Sequence, residues 1–351
     1  MNLCIIARAD LTGLGVQSRH WVRLLNPQRI VEINSTIFNH NEQHLEWYSG
    51  RGGYTINGFI KSNEIIPILN GMDVLLTFEI PYSYELIRVA RTRGVKTVIQ
   101  NNWEFTDYLK QPDLPLPDLL VNHSLWHLED QKKLWPDITD YCPTPVFIED
   151  YENIMLHNMD RDLTKRRFLH IAGRRTYEDR NGTNDLVEAM KLIPKEYDFE
   201  LVIKTQTADV SNLNDPRITI DRSKPLDEKE LYRDFDAMIM PRRYGGACLP
   251  MNEALASGMP VIMTDMDPNN KILPKDWLVQ AKHAGSFMTR TMIDLYSVDH
   301  NALCDKIIDF VTKKEDNILS DKIRAREIAC DEYSSVAVKE KWAGLLNKLG
   351  V

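Results

Sequence analysis

Nowhere in the chain does an apolar run approach the ~20 residues that a bilayer-spanning helix needs, so no integral membrane segment is expected. Paired cysteines are lacking too: Cys4, Cys142, Cys248, Cys304 and Cys330 are odd in number, scattered, and never spaced as C-x-x-C. That distribution argues against zinc or dithiol redox chemistry and fits a reducing cytoplasm. Basic excess is also missing. A net charge of -8 and a pI near 5.7 argue against a broad cationic footprint for nucleic acid, and the local strip RDLTKRR (161–167) reads as a solvated linker. The opening MNLCIIARAD meets charge at Arg8 and Asp10, too soon for a secretory leader, and is expected to be the first strand. Internal repeats and low-complexity tracts are absent from the sequence.

What is present is α/β grammar, written twice. The 351 residues are 43% hydrophobic and 27% charged, which suits a globular protein of two domains. In the first half NLCIIAR, RIVEIN, GMDVLLTFE, VKTVIQNN and PDLLVNHS read as buried strands, with helical patterns between them in VQSRHWVRLL and YSYELIRVARTRG. The second series runs RFLHIAG, a helix from about Asn184, FELVIKT, RITID, a helix LDEKELYRDF, DAMIMP, a helix MNEALASG and PVIMTD. Strands alternating with helices predict parallel, doubly wound sheets. The proline-bearing, then charged segment 141–167 reads as a linker or crossover. SSVAVKEKWAGLLNKL at the end reads as an amphipathic helix behind a serine cap. Ligands of such sheets sit at the carboxyl ends of the strands, so the loops there are the candidates for function.

Three loops carry chemistry. In ARADLTGLGVQSRHW a turn with Gly13 and Gly15 precedes a helix expected from about Val16. Glycines let a backbone approach a ligand, and a helix start offers amides to an anion. The turn lacks the G-x-G-x-x-G spacing and the ribose-binding acid of a dinucleotide site, so a plain tight turn stands beside that reading. In AGRRTYEDRNGT the cations Arg174, Arg175 and Arg180 crowd a strand end and a helix start. Guanidinium forks match phosphate oxygens; surface ion pairs with Glu178 and Asp179 are the alternative. The third loop, PRRYGGACLPMNEALASG, sets Arg242, Arg243, Gly245 and Gly246 ahead of a helix opened by Leu249 and Pro250. Consecutive amides of Gly246, Ala247 and Cys248 could then face an anion at the helix start. Glu253, placed in the first turn, either reaches a sugar hydroxyl or complements the helix dipole.

This third stretch resembles the signature of retaining glycosyltransferases with the GT-B fold, family 4 in particular. That signature is a Glu, then Gly-aromatic-Gly-Leu-Pro, a second Glu eight positions after the first, and a small-residue helix ending in Gly-x-Pro-Val. Leu249, Pro250, Glu253, Ala254, Gly258, Pro260 and Val261 match, whereas Gly245 stands where the first Glu would be. The likeness extends to Thr12–Gly15, to Gly173 and Arg174, and to a final helix with Trp342. The wording PRRYGG, DRNGT and GLG is similar to a subgroup associated with bacteria and tailed phages.

The resemblance implies two Rossmann-like domains facing each other across a cleft: an acceptor-side domain over 1–155, a nucleotide-sugar domain over 156–332, and a helix over 333–351 crossing back to the first. It implies that Arg174 and Arg180 hold the diphosphate of a sugar nucleotide, with a UDP-sugar as donor substrate and no cofactor. Glu253 would bind the ribose. Arg243, Gly245, Gly246, Ala247, Cys248 and Leu249 would surround the donor sugar or its phosphate. Lys204 is a nucleotide-side candidate, and Gly13 and Gly15 would line the acceptor side. Asn102 or Glu104 would take the sugar contacts that many members give to a His. Catalysis would rest on Arg174, Glu253, Gly246, Asn102 and Glu104.

The expected reaction transfers the sugar to an acceptor hydroxyl with retention, the leaving diphosphate being stabilised by preorganised donors without metal. Asp265-Met266-Asp267 is read as a turn device. A sugar-nucleotide epimerase on the same scaffold and a non-catalytic nucleotide-sugar reader are the rivals. The acceptor is left open among a glycan, a lipid-linked saccharide, a protein and a modified DNA base, and YSGRGGYTINGF (48–59) is read as a mobile lid beside it. A cytoplasmic location follows, in the host cytoplasm for a phage-encoded chain.

Overall fold

The computed structural model describes all residues except 35–43, 45–46, 49–53, 174–177, 206–214 and 224–226. The chain divides into two compact units, Met1–Pro145 with Ser335–Val351, and Val146–Ser334.

In the first unit seven strands form one parallel sheet: β1 (Leu3–Arg8), β2 (Arg29–Asn34), β3 (Tyr54–Asn57), β4 (Val74–Phe78), β5 (Lys96–Asn101), β6 (Leu119–Asn122) and β7 (Thr139–Tyr141), in the order β3-β2-β1-β4-β5-β6-β7. Its helices are α1 (Gly13–Leu25), α2 (Ser62–Leu69), α3 (Tyr84–Thr92), α4 (Thr106–Leu109) and α5 (Leu128–Leu134). Successive side chains of a strand point to opposite faces, and β1 shows the result. Leu3, Ile5 and Ala7 join the core that holds Trp21 and Trp342, while Cys4 and Ile6 join the core that holds Ile65 and Leu86. With both faces covered, the strands read as continuous apolar runs. Two expectations change here. Tyr54–Asn57, within the stretch read as a lid, is an edge strand paired in register with β2, while 49–53 of that stretch lie outside the described residues. The first helix begins at Gly13 rather than near Val16, because the Thr12 side chain accepts from the Gly15 amide and starts it earlier.

The second unit holds α6 (Glu152–Met159), α7 (Thr183–Leu192), α8 (Leu249–Ala256), α9 (His300–Thr312) and α10 (Glu315–Tyr333). Its six-stranded parallel sheet is built of β8 (Arg166–Gly173), β9 (Phe199–Thr205), β10 (Ile218–Asp221), β11 (Ala237–Met240), β12 (Val261–Thr264) and β13 (Leu278–Val279), ordered β10-β9-β8-β11-β12-β13. A hairpin of β14 (Ala281–Met288) and β15 (Met292–Val298) follows. The segment read as a linker is structured. Ile148, Tyr151 and Ile154 recur every third residue along a short 3-10 turn and α6, and all three enter this unit's core. The boundary therefore falls after Pro145, ten residues earlier than expected. The strip 161–167 is tied inward as well: Arg161 donates to the Lys165 carbonyl and pairs with Asp236, and Arg167 pairs with Glu200 at 2.9 Å. LDEKELYRDF is only a 3-10 turn over Glu228–Tyr232, since the Asn158 side-chain oxygen takes the amides of Asp234 and Phe235 out of helical bonding.

The last helix, α11 (Ser335–Leu349), belongs to the first unit. It inserts Val338, Trp342 and Leu345 into the core beside α1, with the Trp21 and Trp342 rings 5.2 Å apart. None of the described helices is long and apolar enough to cross a membrane.

Candidate functional site

The carboxyl end of β11 leads through Pro241–Cys248 into α8, and this loop is shaped by two arginines with different tasks. Arg242 is 4% exposed. Its guanidinium turns back into the loop, donating from Nε to the Tyr244 carbonyl at 3.0 Å and from Nη2 to the Ala247 carbonyl at 2.8 Å. Arg243 donates to the carbonyls of Glu178 and Tyr296, and its own amide donates to the Arg180 carbonyl. It therefore laces this loop to the loop after β8 and to β15 instead of presenting its fork to a ligand as the sequence suggested. Gly245 has φ +107, and a Cβ there would lie 2.7 Å from Arg242 Nη2. The Glu absent from the signature thus has no room in this loop: backbone conformation and guanidinium together require glycine.

With the carbonyls of Tyr244 and Ala247 held, the amides of Gly246, Ala247, Cys248 and Leu249 donate to no described residue. Cys248 is the N-cap of α8 and supplies no side-chain hydrogen bond to it. Pro250 in the first turn has no N–H to satisfy. Three other helices are closed by an acceptor, Thr12 on α1, Asp299 on α9, and Asp179, whose carboxylate receives the amides of Thr183 and Asn184 on α7, whereas α3, α5, α6 and α10 start, like α8, without a side-chain cap. The start of α8 lacks such a cap and retains the partial positive charge of a helix amino end.

Arg180 stacks its guanidinium over the Tyr244 ring at 4.7 Å, at the same loop. Asp179, which the sequence offered only as an ion-pair partner, is the cap of α7, and a D-x-x-G ahead of a helix was the available signal. Gly182 is forced by contact, because a Cβ would sit 2.0 Å from the Pro241 carbonyl oxygen at φ +70. Buried His170 spans the gap below, bonding to the Ile239 carbonyl through Nδ1 and to Thr183 Oγ1 through Nε2. Burial lowers its pKa, so it stays neutral. Arg174 lies outside the described residues.

Glu253 is the fifth residue of α8, one turn deeper than expected, with no acid in the first turn. Its carboxylate accepts from the Tyr232 hydroxyl. Burial first, and then the Glu253 charge, push the Tyr232 phenol well above its usual range, so Tyr232 remains a donor and Glu253 an acceptor. Sequence gave no signal for this pairing across 21 residues. Lys204 is committed to Asp221 at the end of the neighbouring strand β10. That ammonium is the first cause holding the Asp221 carboxyl down at about 2. Asp265 accepts from Asn270 and Asp267 pairs with Lys271, each within its own turn.

The first unit's carboxyl edge is different in kind. Gly13 faces open space, whereas Gly15 is glycine because a Cβ would meet the Asp10 carbonyl oxygen at 1.9 Å. Asp10 is fully buried and receives Arg8 Nη2 at 2.7 Å and the Thr12 amide at 2.9 Å. Beneath α1, Gln17 Nε2 reaches both Gln100 Oε1 and, at 3.1 Å, His123 Nδ1. Asn101 donates to Gln131 at 3.0 Å. Asn102 stands at the N-cap position of a 3-10 turn, Trp103–Phe105, without a side-chain bond to it; the turn carries Glu104, and Trp103 stacks on His127 at 4.5 Å. The amide-rich set of Gln17, Gln100 and His123 was missed, being spread over α1, β5 and the end of β6.

Two parallel Rossmann-like sheets with their flanking helices define the class: this is the architecture of the GT-B fold. Residues 166–297, from β8 into β15, match the family model described as Glycosyl transferases group 1. Sucrose-phosphate synthase from Thermosynechococcus elongatus superposes with a TM-score of 0.67 at 13% identity, covering 99% of each chain. HepE of Anabaena, in complex with UDP and glucose, gives 0.68 at 10% identity, again covering 99% of each. TarM of S. aureus, whose complex contains UDP, gives 0.62 at 14% identity over 81% of this chain and 58% of its own. No curated protein sequence matches the chain.

Proposed function

We propose that this protein is a glycosyltransferase of the family 4 type, transferring a sugar from a UDP-sugar to an acceptor hydroxyl with retention at the anomeric carbon and without a metal ion. The reading is carried by the start of α8, where amides that donate to no described residue meet a helix without a side-chain cap, inside the segment matched by the group 1 model. UDP in the complexes of HepE and TarM supports the choice of nucleotide.

In this reading the amides of Gly246, Ala247, Cys248 and Leu249 receive the diphosphate, with Arg180 and Arg174 beside it. Glu253, its carboxylate oriented by Tyr232, accepts from the ribose hydroxyls. Lys204 and Arg243 act as supports, since their donors are already engaged. The bond between the anomeric carbon and the diphosphate oxygen breaks, its electron pair leaving with UDP. The acceptor oxygen bonds to that carbon on the same face, and its proton passes to the departing phosphate oxygen. Amides already oriented toward the growing charge need no reorganisation at that moment. Asn102, Glu104 and the amide set of Gln17, Gln100 and His123 serve the hydroxyl-bearing side.

The test is a thermal-shift panel of UDP-, GDP-, ADP- and TDP-sugars, followed by mass spectrometry of products formed in a cell lysate. UDP-sugars are expected to raise the unfolding midpoint and to yield a product heavier by one glycosyl unit. Absence of any shift, or full turnover in both Arg174→Ala and Glu253→Gln, contradicts the assignment.

A further inference from the structure

We infer that Arg242 is the positioning residue of the donor site: it sets the loop amides for the diphosphate without being the cation that touches it. The inference rests on the function proposed above and deepens it. A guanidinium this close to a glycosyltransferase signature invites the reading of a phosphate ligand, and the geometry points elsewhere. Two of its nitrogens are bonded to the carbonyls of Tyr244 and Ala247 within its own loop. A peptide unit has its C=O and N–H on opposite sides. Turning those two carbonyls inward therefore turns the following amides, Gly245 and Cys248, away from Arg242; Cys248, the N-cap of α8, is the one of these assigned to the diphosphate.

Three further observations agree. Arg242 is 4% exposed, yet no carboxylate of a described residue pairs with it, whereas Arg243 next door has Asp185 at 4.0 Å. A buried charge without a counter-ion is costly, and an anion held at the adjacent amides offsets that cost. Gly245 holds φ +107, which side chains rarely adopt, and a Cβ there would lie 2.7 Å from the Arg242 guanidinium. Finally, α8 begins without a side-chain cap, so no capping residue orients its first amides, and Arg242 is the side chain that holds carbonyls inside the loop while Arg243 ties the loop to its neighbours. Lysine cannot reproduce this, since one ammonium lacks the planar fork that spans two carbonyls.

The experiment compares wild type, Arg242→Lys, Arg242→Ala and Gly245→Ala. UDP affinity is read by calorimetry, turnover of the UDP-sugar by product mass, folding by circular dichroism, and Arg242→Ala turnover is repeated with added methylguanidinium. Arg242→Ala is expected to lose on the order of 10²–10³-fold in kcat/KM and to regain part of it with methylguanidinium. Arg242→Lys should remain close to the alanine variant, and Gly245→Ala should lose UDP affinity with Arg242 intact. Methylguanidinium rescue separates positioning from general structural support, which a small cation does not restore. If wild type binds UDP and a folded Arg242→Ala turns over within threefold of it, or a folded but impaired variant shows no rescue, the inference is overturned while the proposed function stands. If wild type binds no UDP, both fall.

Discussion

The carboxyl edges of the two sheets share a strand order around β1 and β8 and differ in chemistry. At the first, the polar side chains are mostly neutral and bonded to one another, as in Gln17 with Gln100 and His123 and in Asn101 with Gln131. The one acid buried at its turn, Asp10, is closed off by Arg8 and Thr12. At the second, a buried guanidinium paired with no described carboxylate, four amides that donate to no described residue and an uncapped helix start leave donors for an anion. One scaffold thus carries buried amides bonded to one another at one edge and amides that donate to no described residue at the other. The difference arises in loops of a few residues, not in the sheets.

The contrast can be broken at the glycines that shape both edges. Gly182→Ala and Gly15→Ala each drive a Cβ to about 2 Å from a carbonyl oxygen, and each is expected to destabilise by about 3 kcal/mol, read by urea unfolding. The next effect is confined to the second edge. Glu253→Gln keeps an acceptor for the Tyr232 hydroxyl and removes the charge, so donor KM should rise roughly 10- to 100-fold with stability nearly unchanged. Gln100→Leu, at the first edge, should raise acceptor KM by about 10-fold and leave UDP affinity as it was. A comparable loss of UDP affinity in that variant would erase the distinction between the edges.

Much of the fold was legible because β1, β4 and β6 are largely apolar runs and β2 and β5 keep an apolar centre between polar residues, as strands buried on both faces do. β3 and β7 were not, at four and three residues. Polar AKHAGSFM gave no sign of the β14–β15 hairpin. A helix was expected over 226–235 because its pattern is locally sound; Asn158, some 75 residues away, decides otherwise. The same holds for the site. Its loops could be found from glycines and arginines ahead of helices, but sequence gives the presence of a charge and not its direction. Arg242 and Arg243 are neighbours of one type, and only the fold turns one into its own loop and the other across to β15.

Smaller effects sharpen the picture. Gly13→Ala meets nothing within 4 Å in the first turn of a helix, and should stabilise by about 0.5–1 kcal/mol, the opposite sign to Gly15→Ala two residues on. Asp221 is held at about 2 by Lys204, below its unfolded value near 3.9. Its contribution is therefore complete above pH 4 and lost as pH falls through 2. Lys204→Met should flatten that part of the acid unfolding curve and leave stability at pH 7 within about 1 kcal/mol of wild type.

The account turns on the diphosphate, so the most direct measurement is titration calorimetry of UDP, UMP and uridine into the intact chain. Amides preorganised at the start of α8 predict saturable one-to-one binding of UDP at least 10-fold tighter than UMP, with uridine weaker again. Equal affinities for all three, or no heat from any of them, would contradict it.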